Sequence, residues 1–338
     1  MDQIQQIKET LSKHGYEYMD FLGKGGFSNV LLCQSKKYNQ DFAIKRAINH
    51  RLTEDEYTHL ISLDHPSIIK LYDAFNDEHA QYLVMEYCIN GTIQEKGKLS
   101  YEKFTHYAKQ ILEAISFCHS NKIAHRDIKP DNIFLDHYDH IKLADFGMAK
   151  SFDEDSKSSD KCGSLMYLSP EFFLYQEINP FKADIWALGI TFFYMATGNY
   201  PFHYKSREEL VQLISRGEID FFQYEIHPKI QLLIKKMTIK DQNNRPDVEK
   251  LLEMPLFSKN KKTPILGSKS HKTFISGFRT HGITMNKSVT FDSSRITTED
   301  DNHVSQSNLV EVHSYRRLNI YPRIRRVNGR IQVPINSF

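Results

Sequence analysis

Apolar residues first recur at helical spacing. Ile4, Ile7 and Leu11 share one face of residues 1–14 and predict a short amphipathic helix, read as an arm (1–15) that packs on the first lobe. From Tyr16 the period shortens to that of strands, over Tyr16 to Leu22, Phe27 to Cys33 and Asp41 to Arg46, with 36–40 as a polar turn between the last two. Ile68 to Phe75 and Gln81 to Met85 predict two more strands. From Ser100 to Ser120 the helical period returns through Phe104, Tyr107, Ala108, Ile111, Leu112 and Ile115. Two short apolar runs, Ile133 to Leu135 and Ile141 to Ala144, then read as a hairpin. Ile185 to Tyr204 holds no Asp, Glu, Lys or Arg, yet its strongly apolar part ends near Met195 and Gly198-Asn199-Tyr200-Pro201 follow. That is too short for a bilayer and predicts a helix buried on all sides.

Composition adds boundaries. At 338 residues, with 25% charged and 40% hydrophobic, the chain fits a soluble protein of two lobes and a tail. Cys33, Cys88, Cys118 and Cys162 are widely spaced and read as reduced thiols of an intracellular protein. Met1 to Gln6 lacks a basic start with an apolar run, so no signal peptide is expected, and Asp2 excludes myristoylation. Charge is uneven: 258–338 holds 14 Lys plus Arg against 5 Asp plus Glu, leaving 30 against 37 before it. The basic tail is expected to be largely disordered, although Val310, Val312, Leu318, Ile320, Ile324 and Ile331 would suffice for a docking segment. Its basic runs, Lys259 to Lys262 and Arg323 to Arg326, leave a nuclear location open beside a cytoplasmic one. No membrane partner is expected, and protein partners are favoured over nucleic acid.

The densest chemistry is His125-Arg126-Asp127-Ile128-Lys129-Pro130-Asp131-Asn132, followed thirteen residues after Asn132 by Asp145-Phe146-Gly147. The hairpin around these turns would hold Asp127, Asn132 and Asp145 near one another. Phosphoryl transfer needs a carboxylate to accept the proton of the attacking hydroxyl, and oxygen ligands for Mg²⁺ on the nucleotide phosphates. Upstream, Leu22-Gly23-Lys24-Gly25-Gly26-Phe27-Ser28-Asn29-Val30 joins two strands, and Gly23 and Gly25 let backbone amides approach phosphate. Alone this loop equally describes a plain hairpin. Ala43-Ile44-Lys45 places a lysine on an apolar strand, where its ammonium would ordinarily just reach for water.

In this order, and followed by Ser169-Pro170-Glu171, these motifs resemble the eukaryotic protein kinases over residues 16–257. The resemblance implies an α+β, bilobal protein kinase fold, with a small antiparallel lobe and C-helix (16–87) and a larger, mainly helical lobe (88–257). It implies ATP and Mg²⁺ as cofactors, and Ser/Thr hydroxyls of proteins as acceptors. Asp127 would be the catalytic base, Lys129 would offset charge on the γ-phosphate, and Asn132 and Asp145 would hold the metal. Lys45 would contact the α- and β-phosphates and pair with a helix glutamate. Counting back from Leu63-Asp64-His65-Pro66 gives Glu56, with Glu54 a competitor because only ten residues separate Lys45 and Glu56. Leu22, Val30 and Ala43 would roof the adenine, Phe134 would floor it, Met85 would be the gatekeeper, and Glu86 and Cys88 would offer backbone bonds.

Lys129 resembles the serine/threonine rather than the tyrosine kinases, and Met148 a preference for serine. The segment from Met148 to Glu171 resembles an activation segment, with Ser158 and Ser159 as expected switch sites for an upstream kinase and Arg126 and Lys150 as their partners. Ser164 is expected to contact Asp127 and Lys129. Glu171 with Arg245 resembles the family's buried ion pair, and Asp184 the brace of the catalytic loop. Subfamily features are mixed: Ser169-Pro170-Glu171 with Phe134 is similar to NIMA-related and polo-like kinases, Cys162-Gly163-Ser164 to autophagy-initiating ones, and the overall tone to calmodulin-dependent ones. Asp131 hints at a basic residue ahead of the acceptor, while Thr92 stands where strongly basophilic relatives carry an acid. A catalytically silent scaffold that recruits partners through its tail is the alternative.

Overall fold

The computed structural model describes residues 3–24, 28–48, 54–152, 162–175 and 177–258. Helix α1 (Gln3–Lys13) comes first, then strands β1 (Tyr16–Lys24), β2 (Ser28–Ser35) and β3 (Gln40–Ile48), helix α2 (Glu54–Ser62), and strands β4 (Leu71–Asn76) and β5 (Ala80–Glu86). The strands form one antiparallel sheet in the order β1-β2-β3-β5-β4. Alternation along β3 sorts the two faces. Phe42 and Ile44 are buried with Leu31, Tyr82, Val84 and the α1 residues Ile7 and Leu11, whereas Ala43 and Lys45 take the opposite face. Helix α1 is thus the cover of one sheet face. His14 stacks on Phe75 at 4.0 Å, and Tyr16 donates to Asp73 at 3.2 Å.

The larger lobe comes next. Short α3 (Ile93–Lys96) precedes α4 (Tyr101–Ser120), whose N-cap Ser100 accepts from the Lys103 amide as a helix start requires. Then come β6 (Ile123–Ala124), the paired β7 (Ile133–Leu135) and β8 (Ile141–Leu143), β9 (Lys150–Ser151), which pairs with β6, and short α5 (Glu171–Leu174). Helix α6 (Pro180–Thr197) is capped by Asn179 with Pro180 in its first turn, and is buried from Asp184 to Thr197. It stops at Gly198, φ 74°, where a Cβ would sit 3.2 Å from the Lys98 amide nitrogen. Helices α7 (Arg207–Arg216), α8 (Pro228–Met237) and α9 (Val248–Leu252) complete the lobe. Among the described residues, no helix is long and apolar enough to cross a membrane.

Glu171 and Arg245 are fully buried and joined by two bonds, Nη1 to Oε1 at 2.8 Å and Nη2 to Oε2 at 3.1 Å, with the guanidinium over Trp186. One expected strand is shorter than its apolar run. β4 starts at Leu71 because Ile68 and Ile69 spend their backbone on the large-lobe hairpin: Ile68 bridges Leu143, and the Ile69 amide donates to the Leu143 carbonyl at 2.8 Å. Residues 259–338, which contain the expected tail segment, lie outside the described residues.

Candidate active site

Strand period brings Lys45 to the face opposite α1, where its Nζ donates to Glu56 Oε1 at 2.7 Å and to Asp145 Oδ1 at 3.0 Å. Burial alone would depress the lysine's pKa, but the two carboxylates overcome this and hold it well above its ordinary value. Burial likewise opposes ionisation of Asp145, and Lys45 outweighs it, keeping that carboxyl below the usual range. Glu56 is therefore a partner of the lysine, and the Glu54 side chain lies outside the described ones. Residues 49–53, ahead of α2, lie outside the described residues.

The catalytic-loop candidates converge. Asp127, 6% exposed, accepts from Lys129 Nζ at 2.7 Å and Asn132 Nδ2 at 3.0 Å on Oδ2, and from the Ser164 hydroxyl at 2.9 Å on Oδ1. Lys129 Nζ also donates to Ser164 Oγ at 3.0 Å. The loop backbone is held from below by Asp184 on α6, which accepts from the amides of His125 and Arg126, each at 2.8 Å, and from His119 Nε2 at 2.9 Å. This grip holds Arg126 at φ 68°, a left-handed conformation that an arginine does not adopt freely. Asp145 is also left-handed, at φ 63°. His125 donates from Nε2 to the Ala144 carbonyl and accepts the Asp127 amide on Nδ1, so one ring ties the two acidic turns together.

Mg²⁺ takes hard oxygen donors, and one or two protein groups suffice when phosphates supply more. Asn132 commits its amide nitrogen to Asp127 O and Oδ2, which leaves its Oδ1 for such a role, and Asp145 commits only Oδ1 to Lys45. The donor set fits the ion.

Around this centre, β1 and β2 place Gly23 opposite Val30 and Lys24 opposite Asn29, with Ser28 opening β2; Gly25, Gly26 and Phe27 lie outside the described residues. Val30 faces Lys45 across the ladder, Ala43 faces Met85, and Leu22, Val30 and Ala43 are half-buried. Phe134 bridges Thr92, and Cys88 is buried. The Glu86 side chain turns to Lys142 Nζ at 2.9 Å.

The sequence reading missed that pair, and the only available signal was a cation between the apolar strand residues Ile141 and Leu143. It also missed His119 beneath Asp184, and His59 of α2, whose Nε2 meets Ser151 Oγ at 3.1 Å. Arg126 reaches Cys162 Sγ and lies over the Phe152 ring. Ser156, Ser158 and Ser159 lie outside the described residues.

A small sheet lobe whose strand lysine is paired with a helix glutamate, and a helical lobe whose acidic loop is braced from a buried helix, define the bilobal kinase fold. The chain belongs to the protein kinase family: the model described as protein kinase domain matches residues 16–257. It is similar to a probable serine/threonine-protein kinase, MARK-A, of Dictyostelium discoideum (34% identical, covering 73% of this chain and 24% of that one). Similar too are CBL-interacting serine/threonine-protein kinase 15 of Arabidopsis thaliana (30%; 76% and 64%) and an Aurora kinase of Candida glabrata (32%; 74% and 73%). The chain thus spans between about a quarter and three-quarters of the length of these relatives.

Proposed function

We propose that the protein is a serine/threonine kinase that moves the γ-phosphate of Mg-ATP to hydroxyls of proteins. The observation that carries this reading is the paired array of Lys45 with Glu56 and Asp145 on one side, and Asp127 with Lys129, Asn132 and Ser164 on the other. Serine/threonine-protein kinases among the similar proteins support it. Asp127 orients the acceptor hydroxyl and takes its proton. Lys129, two residues on and already at Asp127, balances charge on the transferred group. Lys45 holds the nucleotide phosphates, and Glu56 keeps its ammonium aimed. Asn132 and Asp145 hold Mg²⁺, which supplies charge neutralisation at the phosphates. The half-buried Leu22, Val30 and Ala43 make the apolar roof for the base above Phe134.

The finer reading adds control by phosphorylation of the activation segment at Ser158 or Ser159. Arg126 supports it, since it sits beside Cys162 and Phe152 on either side of that stretch, and a phosphate there would add charge-assisted bonds.

The test is transfer of labelled γ-phosphate to serine and threonine peptides by the wild type, Asp127→Asn and Lys45→Met. Wild-type activity with losses of about 10²–10⁴-fold in Asp127→Asn is expected. Equal silence of all three, even after treatment with an activating kinase, would favour the recruiting scaffold.

A further inference from the structure

Ser164 does more than meet the catalytic carboxylate. It opens a single 3-10 turn, Leu165–Tyr167, and the Tyr167 amide closes on the Ser164 carbonyl at 2.9 Å. One end of this turn is pinned at the centre, because the Ser164 hydroxyl donates to Asp127 Oδ1 and accepts from Lys129 Nζ. An acceptor hydroxyl that gives its proton to Asp127 must lie beside the turn. So short a turn has little rigidity of its own. What fixes its other end therefore decides where the acceptor chain rests.

That end is Tyr167, 8% exposed. Its hydroxyl donates to the Tyr200 hydroxyl at 3.1 Å, and Tyr200 in turn donates to Gln94 Oε1 at 2.9 Å. A third tyrosine, Tyr194 on α6, donates to the Gln94 backbone carbonyl at 2.7 Å and stacks on Tyr200 with ring centroids 5.1 Å apart. Different elements place the members. Tyr200 follows the end of α6, where the Thr197 hydroxyl accepts the Asn199 amide at 3.0 Å. Gln94 sits on α3, whose N-cap Thr92 bridges Phe134. Burial raises the pKa of all three phenols and the Asp131 carboxylate adds to this, so they stay protonated and remain donors at neutral pH.

We propose that the hydrogen-bonded chain Tyr167–Tyr200–Gln94 is a positioning network for the acceptor: it holds the far end of the Ser164 turn against α3 and α6, and so sets the affinity for the acceptor peptide. It rests on the proposed kinase activity. Removing the Tyr200 hydroxyl strands the buried Tyr167 O–H, and a turn released at that end can swing about Ser164 to rehydrate it. Ser164, Asp127 and Lys129 keep their own bonds, so the chemical step is spared. Tyr167, Tyr200 and Gln94 act through the turn and not on the reacting atoms.

The test uses the full chain. Tyr200→Phe and Gln94→Leu each break the network, Gln94→Glu keeps an acceptor oxygen, and Tyr167→Phe is made alone and with Tyr200→Phe. Initial rates are measured against Mg-ATP and a serine peptide without charged side chains, together with melting temperature and amide hydrogen exchange over 162–170. Tyr200→Phe and Gln94→Leu are expected to raise the peptide KM about five- to tenfold, with kcat and the ATP KM within about twofold of wild type. Gln94→Glu should match the wild type, and Tyr167→Phe, which strands no buried donor, should cost less than Tyr200→Phe. The double variant should fall no further than Tyr200→Phe alone, because the two hydroxyls share one bond. Exchange over 162–170 should rise in Tyr200→Phe and stay unchanged in α4. An unchanged peptide KM in Tyr200→Phe and Gln94→Leu, an equal fall in kcat, a loss in Gln94→Glu as large as in Gln94→Leu, or multiplying losses in the double variant would overturn the proposal. A wild type without transferase activity would remove the kinase reading instead, and the exchange comparison alone would then decide whether the network holds the turn.

Discussion

The two lobes hold their critical carboxylates by opposite means. Asp127 stands on a loop whose backbone is bonded to Asp184, a carboxylate 1% exposed on a helix buried through most of its length. Three side chains converge on its own oxygens. Glu56 stands on helix α2 of the sheet lobe and meets Lys45 of β3 through an ion pair of 2.7 Å. The loop even keeps Arg126 in a left-handed conformation, which persists because its surroundings over-determine it. The place where a proton would move is fixed through backbone and side chain together, whereas the partner of the strand lysine is met across two elements by an ion pair.

The contrast is broken most forcefully in the large lobe. Glu171→Ala strands the Arg245 guanidinium at 0% exposure and is expected to cost about 3–5 kcal/mol, a fall in melting temperature on the order of 10 °C. Calorimetry checks this, and a shift of a degree or two would mean that the backbone carbonyls around Arg245 suffice without the carboxylate.

A smaller effect is expected on the sheet. Leu11→Ala empties a fully buried position between α1 and the small lobe, at about 2–4 kcal/mol. If the lobes are held independently, hydrogen exchange should quicken in β1 and β4 and remain unchanged in α4 and α6. Equal quickening in both lobes would contradict that independence.

The smallest is a pH effect on the same helix. Burial against Phe75 lowers the pKa of His14, Lys13 adds to this, and Asp73 and Asp77 oppose it. A folded-state value below the ordinary 6.5 means that the unfolded chain binds the proton more readily. Stability from this group is therefore full above the ordinary value and is lost as pH falls from there through the lower folded-state one. His65, also lowered by burial, contributes in the same direction, so the comparison that isolates α1 is wild type against His14→Gln. The glutamine variant should show a shallower loss of stability between about pH 7 and 5, and identical slopes would show that His14 takes no part.

Much of this was legible in the chain. The helical arm, five strands, the central helix after Ser100 and the all-buried helix emerged from period alone, because each element buries one face or all faces. Glycines, acids and the strand lysine fell in a recognisable order, and the count back from Pro66 reached Glu56. Long-range pairings were not legible. Ile68 looks like strand, but its backbone partner is Leu143; Lys142 looks like a solvated cation, but its partner is Glu86.

The sequence by itself determined which residue types stand in which order, and so the two lobes, the family and the side chains at the centre. Those are local properties: apolar period selects helix or strand, and turn residues place the acids between them. Only the tertiary structure decided that Glu56 meets Lys45, that Asp184 grips the catalytic-loop amides with His119 beneath it, and that His59 reaches Ser151. Each of those joins residues that stand on different elements. Hydrogen bonds of about 3 Å do not tolerate a shifted register between those elements.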